Sequence, residues 1–412
     1  MSNNLTPHQM VAYNAIIDFL AGPDQVLVIE GYAGTGKTHI MQAVVQTWSQ
    51  MQNALQLINP HYVFRDITFT ATTHKACEQL QKATGWDVQT IFQATGQKLA
   101  KAPGQKARMV DKKDFYQIDG GIVVVDEASN LDDYMVDTCF RRTNNTKIIF
   151  LGDPAQTVPV GYVRAPVFDR GYPTVALTEV VRNHGQILEL SSAFREAVSS
   201  GQVPQGFVPN GQDVIWKPRI EFEQMMLNDF GANNWSDGDS KYLSWTNESA
   251  IFYNRNLLNH LHGSPDFKSG DYVTVNSYVT PVDPSGRIYS ANSTAFINTV
   301  NPGQSYGKKG KFYKLDGFSQ TWFMPDDFKD QAKAMKEALQ QGDGRAARDI
   351  DSWIDLRAVY AQTVNKAQGS TYKRVYLDLD DLKGAPTIQM CRLGYVGVSR
   401  ASEQVILTGD LV

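Results

Sequence analysis

The chain has 412 residues, with 39 Lys and Arg against 43 Asp and Glu and a formal net charge of −4. That length suits about two to three domains with substantial cores, and the charge balance excludes a surface coated in basic residues, so any nucleic-acid site must be a local stripe. Cys77, Cys139 and Cys391 are too scattered for a metal site or a disulfide framework and fit a reducing cytoplasm. The opening MSNNLTPHQM lacks the segments of a signal peptide, and no apolar run approaches the ~18 residues of a membrane span. A cytoplasmic protein without a membrane partner is therefore expected.

In chain order, the apolar run Val26-Leu27-Val28-Ile29 predicts a buried strand, and it leads into Gly31-Tyr32-Ala33-Gly34-Thr35-Gly36-Lys37-Thr38. This is G-x-x-x-x-G-K-[ST], a phosphate-binding loop. Glycines let successive backbone N–H groups turn onto phosphate oxygens, the lysine reaches the β- and γ-phosphates, and the threonine hydroxyl serves Mg²⁺. A helix from Thr38 to about Gln50 would aim the positive end of its dipole at the same phosphates. Gly34, Thr35, Gly36, Lys37 and Thr38 are thus candidate nucleotide ligands. Ile67–Ala71 reads as a strand, a helix starts at His74, and Ile122–Val125 and Lys147–Leu151 read as further strands. Strands alternating with helices predict a parallel α/β sheet. Ile122-Val123-Val124-Val125 has no polar alternation, as expected of a strand buried on both faces.

Between Gly96 and Gly120 two short segments flank Pro103-Gly104, which predicts a small hairpin insertion. From Lys98 to Lys113 it carries Lys98, Lys101, Lys106, Arg108, Lys112 and Lys113 against Asp111 alone, a local charge suited to strand phosphates. The second half opens with a helix from Gly185 to about Ser199 and a Gly- and Pro-rich loop. Residues 271–321 alternate Tyr272-Val273-Thr274-Val275, Ala295-Phe296-Ile297 and Phe312-Tyr313-Lys314-Leu315 with turn residues, which predicts a small antiparallel module. A helical pair follows: Pro325-Asp326-Asp327 starts it, Gly342-Asp343-Gly344 breaks it, and its second member runs from about Arg345 to Leu356. Strands return at Arg374–Leu379 and Gln404–Thr408.

Chemistry concentrates at strand ends. Asp126 and Glu127 close a buried strand at the edge where open parallel sheets hold ligands; Asp126 would bind Mg²⁺ and Glu127 would act on the attacking water. Phe150-Leu151-Gly152-Asp153-Pro154-Ala155-Gln156 leaves another buried strand and puts Gln156 where it could sense the γ-phosphate. His260 and His262 would diverge on a helix and do not read as metal ligands.

The order of the remaining segments resembles the superfamily 1 helicases, most closely the Dda-type and RecD-like group of the 5′→3′ branch, phage-encoded, over nearly the whole chain. Leu5-Thr6-Pro7-His8-Gln9 resembles the Q motif, whose glutamine reads the adenine edge. Ala71-Thr72-Thr73-His74-Lys75-Ala76 resembles motif Ia, and Thr90-Ile91-Phe92 stands at motif Ib. Leu177-Thr178-Glu179-Val180-Val181-Arg182 matches the segment that brings an arginine onto the γ-phosphate. Trp245-Thr246-Asn247 resembles motif IV, Thr363-Val364-Asn365-Lys366-Ala367-Gln368-Gly369-Ser370 motif V, and Tyr395-Val396-Gly397-Val398-Ser399-Arg400 motif VI. Phe92 and Asn365 replace histidines common in the family.

The resemblance implies an α/β fold of two RecA-like P-loop NTPase domains, 1–184 and 185–412. It further implies a pin hairpin at about 96–118, an SH3-like β insertion at about 268–323 and a helical tower at about 325–357. It implies an ATP- and Mg²⁺-dependent DNA helicase that translocates 5′→3′ on single-stranded DNA and unwinds forked duplex in replication or recombination. Such an enzyme would act as a monomer, with single-strand-binding protein or replisome components as further partners. Lys37, Glu127, Gln156, Arg182 and Arg400 would be catalytic; Gln9, Gly34, Thr35, Gly36, Lys37, Thr38 and Gly369 would bind nucleotide; Thr38 and Asp126 would hold the metal. Thr73, His74, Thr90, Trp245, Asn247, Thr363 and Asn365 would contact nucleic acid, the short polar side chains suiting phosphates or sugars and the tryptophan suiting base stacking. Two alternatives stay open: a translocase acting without productive unwinding or on RNA, and a nucleotide-dependent binding module, which the presence of Lys37, Glu127 and both arginines disfavours.

Overall fold

The computed structural model describes residues 5–60, 65–100, 108–112, 115, 117–159, 161–181, 184–276 and 293–410. Two compact units result, one made of residues 1–98, 111–222 and 367–412, the other of residues 99–110 and 223–366. Among the described residues no helix is long and apolar enough to cross a membrane.

The first unit is built on a six-stranded sheet in the order Thr174–Leu177, Val26–Gly31, Lys147–Gly152, Ile122–Asp126, Ile67–Ala71, Val88–Thr90, with parallel ladders throughout. Its apolar strands bury both faces because successive side chains alternate. Ile122, Val124, Leu27, Ile29, Ile149 and Leu151 enter one core with the helices Pro7–Ala21, Lys37–Ile58 and His74–Thr84. Val123, Val125, Val26, Val28, Ile148 and Phe150 enter another, with Met135, Val136 and Cys139 of the helix Asp133–Arg141. The fold is therefore α/β with parallel sheets. The helix after the phosphate loop runs to Ile58, past the expected end near Gln50, because Met51 and Leu55 continue its buried stripe.

In the same unit Val214–Trp216, Ala401–Thr408 and Tyr372–Asp378 form parallel ladders. The helix Thr387–Ser399, buried from Met390 to Ser399, packs on Gly185–Ser200 through a close approach at Gly394. A Cβ there would lie 2.5 Å from the ring of Phe194, itself fully buried. Alanine would raise helix propensity by about 1 kcal/mol, but an extra methyl in a closed core costs about 1–3 kcal/mol. Gly394→Ala should therefore lower stability in chemical denaturation. A gain would show that the Phe194 ring yields.

The second unit contains the parallel pair Ser240–Ser244 and Ala361–Thr363 and a five-stranded antiparallel sheet. Its order is Thr321–Pro325, Lys308–Leu315, Thr294–Ser305, Tyr272–Val275, Leu356–Ala358. The long hairpin turns on Tyr306 (φ 47°) and Gly307 (φ 71°), the two left-handed residues that a two-residue type I′ turn needs. The helical pair occupies Phe328–Gln340 and Gly344–Asp351. Its second helix stops short of the expected Leu356 because Leu356–Ala358 pairs with Tyr272–Val275 and Leu356 is buried in the sheet's apolar cluster. The predicted insertion after Gly96 has its strands at Gln97–Ala100 and Arg108–Asp111, paired with each other; its tip, Pro103-Gly104, lies outside the described residues.

Candidate functional site

Strand Val26–Gly31 delivers the chain into a loop whose Gly34 (φ 82°) and Gly36 (φ 87°) are left-handed, a conformation that other residues strain to adopt. Gly36 is also the N-cap of Lys37–Ile58, so the helix's unpaired N–H groups face the loop. The Lys37 ammonium folds back onto the Gly31 and Tyr32 carbonyls. Gln9, expected at the base, is buried beneath the loop. Its Oε1 accepts from Thr6 N at 3.1 Å and its Nε2 donates to Thr35 O at 2.9 Å, and a Cβ on Gly36 would come within 2.4 Å of that nitrogen. Both ends of this carboxamide are engaged in holding the loop.

Asp126 ends the strand Ile122–Asp126, and Glu127 follows in the left-handed region at φ 54°. A non-glycine residue there stores on the order of 1–3 kcal/mol of strain, and the gain is direction: the backbone reverses and Glu127 N donates to Asp126 Oδ1 at 2.8 Å. Burial first, then the neighbouring Glu127 charge, pushes the Asp126 carboxyl well above the usual aspartate range, with Lys37 acting the other way. Such a carboxylate calls for a cation. Thr38 and Asp126 line the same cavity, and a hydroxyl plus one carboxylate, completed by phosphate oxygens and water, suits Mg²⁺. Among the described residues no cluster of three or more His, Cys, Asp or Glu could hold a metal unaided.

The cavity has a volume of about 270 Å³, and its lining includes Gly34, Gly36, Lys37, Thr38, Asp126, Glu127, Gln156, Gly369 and Arg400. Thr35 is buried within the loop itself. Gly369 is left-handed (φ 80°), and a Cβ there would stand 3.4 Å from Gln79 Oε1 and 3.9 Å from Glu127 Oε1. Arg400 is only 3% exposed. It donates to Val396 O at 3.1 Å, Ser370 O at 3.4 Å and Ser399 Oγ at 2.9 Å, which uses three of the five N–H donors of a guanidinium. Burial pulls its pKa below the usual arginine range, and Glu127 is the largest influence opposing that.

Several residues of this site carry no motif reading. Gln368 Nε2 faces Gln156 Oε1 at 2.8 Å, Glu127 Oε2 at 3.2 Å and Ser129 Oγ at 3.4 Å. The Tyr395 hydroxyl donates to fully buried Asp153 at 2.5 Å and accepts from Ala33 N of the loop at 2.8 Å; burial, then Asp153, pushes this phenol up. Arg392 donates to the Pro154, Gln156 and Val163 carbonyls at 2.5 to 2.7 Å, and the Arg195 guanidinium lies 3.1 Å from the Tyr32 ring centroid. Gln368 and Tyr395 signal only as members of segments named for other residues, and Arg392 and Arg195 lie outside every motif segment. Arg182, expected to be the second arginine, lies outside the described residues.

The expected nucleic-acid residues divide between the units. In the first, Thr73 and His74 are exposed and Thr73 Oγ1 caps the helix His74–Thr84 through Ala76 N at 3.2 Å. Thr90 is buried, its hydroxyl engaged with Gln93 in a capping box. In the second, Asn247 and Asn365 are exposed, Trp245 is half-buried, and Thr363 is buried and accepts from Lys366 N at 3.4 Å.

The glycine loop, the helix N-terminus behind it and the carboxylates at the neighbouring strand end together make a P-loop nucleotide site. Residues 4–208 match the AAA domain family and residues 358–408 the UvrD-like helicase C-terminal domain. The chain's fold is that of a Pif1 helicase from Bacteroides, solved in complex with ADP-AlF3 and ssDNA. That match has a TM-score of 0.52 at 15% identity and covers 99% of this chain and 93% of the other. An uncharacterised protein of Acanthamoeba polyphaga mimivirus is 21% identical over 504 aligned positions, 96% of this chain and 98% of its own length. A conjugal transfer protein TraA of Rhizobium radiobacter is 30% identical over 146 residues, 35% of this chain and 11% of TraA.

Proposed function

We propose that the chain is a Mg²⁺-dependent, ATP-driven DNA helicase that moves 5′→3′ on single-stranded DNA and opens forked duplex. The observation that carries this reading is the single cavity lined by Lys37, Thr38, Asp126, Glu127, Gln156 and Arg400, a set of charges suited to phosphoryl transfer. Lys37 and the loop amides hold the β- and γ-phosphates, and Thr38 and Asp126 hold the metal, which offsets phosphate charge. Water attacks the γ-phosphorus, the bond to the β–γ bridging oxygen breaks, and the water's proton passes to Glu127; the products are ADP and phosphate. Arg400 meets the charge that develops on the transferred group. The DNA reading is supported by the match of residues 358–408 to the UvrD-like helicase C-terminal domain and by the single-stranded DNA bound in the Pif1 complex.

The direction rests on a short interval. Residues 93–125, 33 positions, separate Phe92 from Asp126. They hold a two-stranded hairpin and leave no room for the large helical insertion of the opposite branch. Steady-state ATP hydrolysis should rise on adding single-stranded DNA, and a forked substrate with only a 5′ tail should be unwound. Efficient unwinding from a 3′ tail alone would overturn the direction; turnover indifferent to DNA would overturn the motor.

A further inference from the structure

Gln368 stands at the crossing of three parts of the phosphate site, and the chemistry of its neighbours fixes which way every amide points. A carboxylate only accepts hydrogen bonds, so the group of Gln368 that faces Glu127 Oε2 at 3.2 Å is its nitrogen. The Gln368 oxygen then takes the Thr157 hydroxyl at 2.5 Å. The same nitrogen lies 2.8 Å from the Gln156 carboxamide, which must present its oxygen in return. Gln156 is thereby turned with its –NH₂ away from Gln368. That nitrogen has no hydrogen-bond partner among the described residues, and Gln156 is 3% exposed in the wall of the phosphate cavity. Gly369, left-handed at φ 80°, lets the backbone carry Gln368 this close to Glu127.

We propose that Gln368 is a positioning residue for hydrolysis: one amide N–H holds an oxygen of Glu127, and the other forces Gln156 to offer its –NH₂, a donor, to the terminal phosphate. The inference rests on the hydrolytic reading of the site and adds the residue that sets the polarity of two others. Gln156 with its amide reversed would aim an oxygen at phosphate oxygens, which repel it. A misplacement of this kind near the reacting atoms lowers turnover by roughly 10²-fold. Nucleotide affinity, held by the loop and Lys37, stays.

Gln368→Met keeps the length and volume of the side chain and removes every donor. It should lower kcat for ATP about 10- to 100-fold with KM changed less than about threefold. Gln368→Glu, which sets a second carboxylate against Glu127, should fall further. Because Gln156 and Gln368 act as a unit, Gln156→Ala combined with Gln368→Met should be no slower than the worse single variant. Wild-type kcat in Gln368→Met, loss of nucleotide binding in step with kcat, or multiplying losses in the double variant would each overturn the assignment. If Gln368→Met does not fold, Thr157→Val removes the hydroxyl that orients the Gln368 oxygen and is read by the same kcat-against-KM split. Wild type and Lys37→Ala run in the same assay separate the two levels. Equal background rates in those two overturn the hydrolytic reading and this inference with it, whereas an active wild type with a normal Gln368→Met overturns this inference alone.

Discussion

Lys37→Ala is expected to reduce nucleotide hydrolysis by at least about 10³-fold and to leave the fold standing. The side chain is half-buried and its ammonium donates to the Gly31 and Tyr32 carbonyls, so its removal takes away no core volume, and stability should move by less than about 1 kcal/mol. Two losses at the site add. The phosphates lose their fixed cation, and Asp126 loses the Lys37 charge that works against its raised pKa. With that charge gone the Asp126 pKa rises further, the carboxyl is more often protonated at neutral pH, and it binds a divalent cation less well. Steady-state hydrolysis with single-stranded DNA, beside a thermal melt, checks both halves. A rate near wild type would remove the phosphate loop from the mechanism.

Arg400→Ala is expected to lower kcat by about 10³–10⁵-fold, the range of a finger arginine acting on transition-state charge, with nucleotide binding reduced far less. The alanine variant also removes the bonds that the guanidinium gives to Val396 O, Ser370 O and Ser399 Oγ, although Val396 O keeps the Ser399 hydroxyl as a donor at 2.9 Å. Each partner left unsatisfied costs about 1–3 kcal/mol. Arg400→Lys separates the two effects. It keeps a cation within reach but not the planar fork, so it should recover stability more than turnover. Ordinary turnover in a destabilised Arg400→Ala would make the arginine purely structural.

The parts of this site that can be read along the chain are those whose chemistry is local. A glycine pattern after an apolar run places Lys37 and Thr38 at a helix N-terminus, and two carboxylates after Ile122–Val125 fall at a strand end without further information. Gln156 and Arg400 needed the order of several segments to be noticed at all, and the structure collects both at the same cavity. Gln368 and Tyr395 were hidden because their meaning lies in partners 212 and 242 positions away. The left-handed backbone of Glu127 leaves no mark on a sequence, since glutamate carries no preference for it. Gln9 shows the converse: a motif named its position, while its contacts show a carboxamide occupied with Thr6 and Thr35. Arg345–Leu356 has helical composition throughout, and only pairing with Tyr272–Val275 draws Leu356 into a strand.

The hydrogen bond from Ala33 to Tyr395 has a consequence for how the protein is made. It joins residues 362 positions apart, whereas the six-stranded sheet beneath the phosphate loop is complete by Leu177. On the ribosome the sheet can close early, yet one amide of the loop and Asp153 Oδ2 stay without the Tyr395 phenol until residue 395 has emerged. A nascent chain thus carries a finished scaffold around an unfinished nucleotide site. Synthesis itself holds back a complete nucleotide site until the segment bearing Gln368, Tyr395 and Arg400 has been translated.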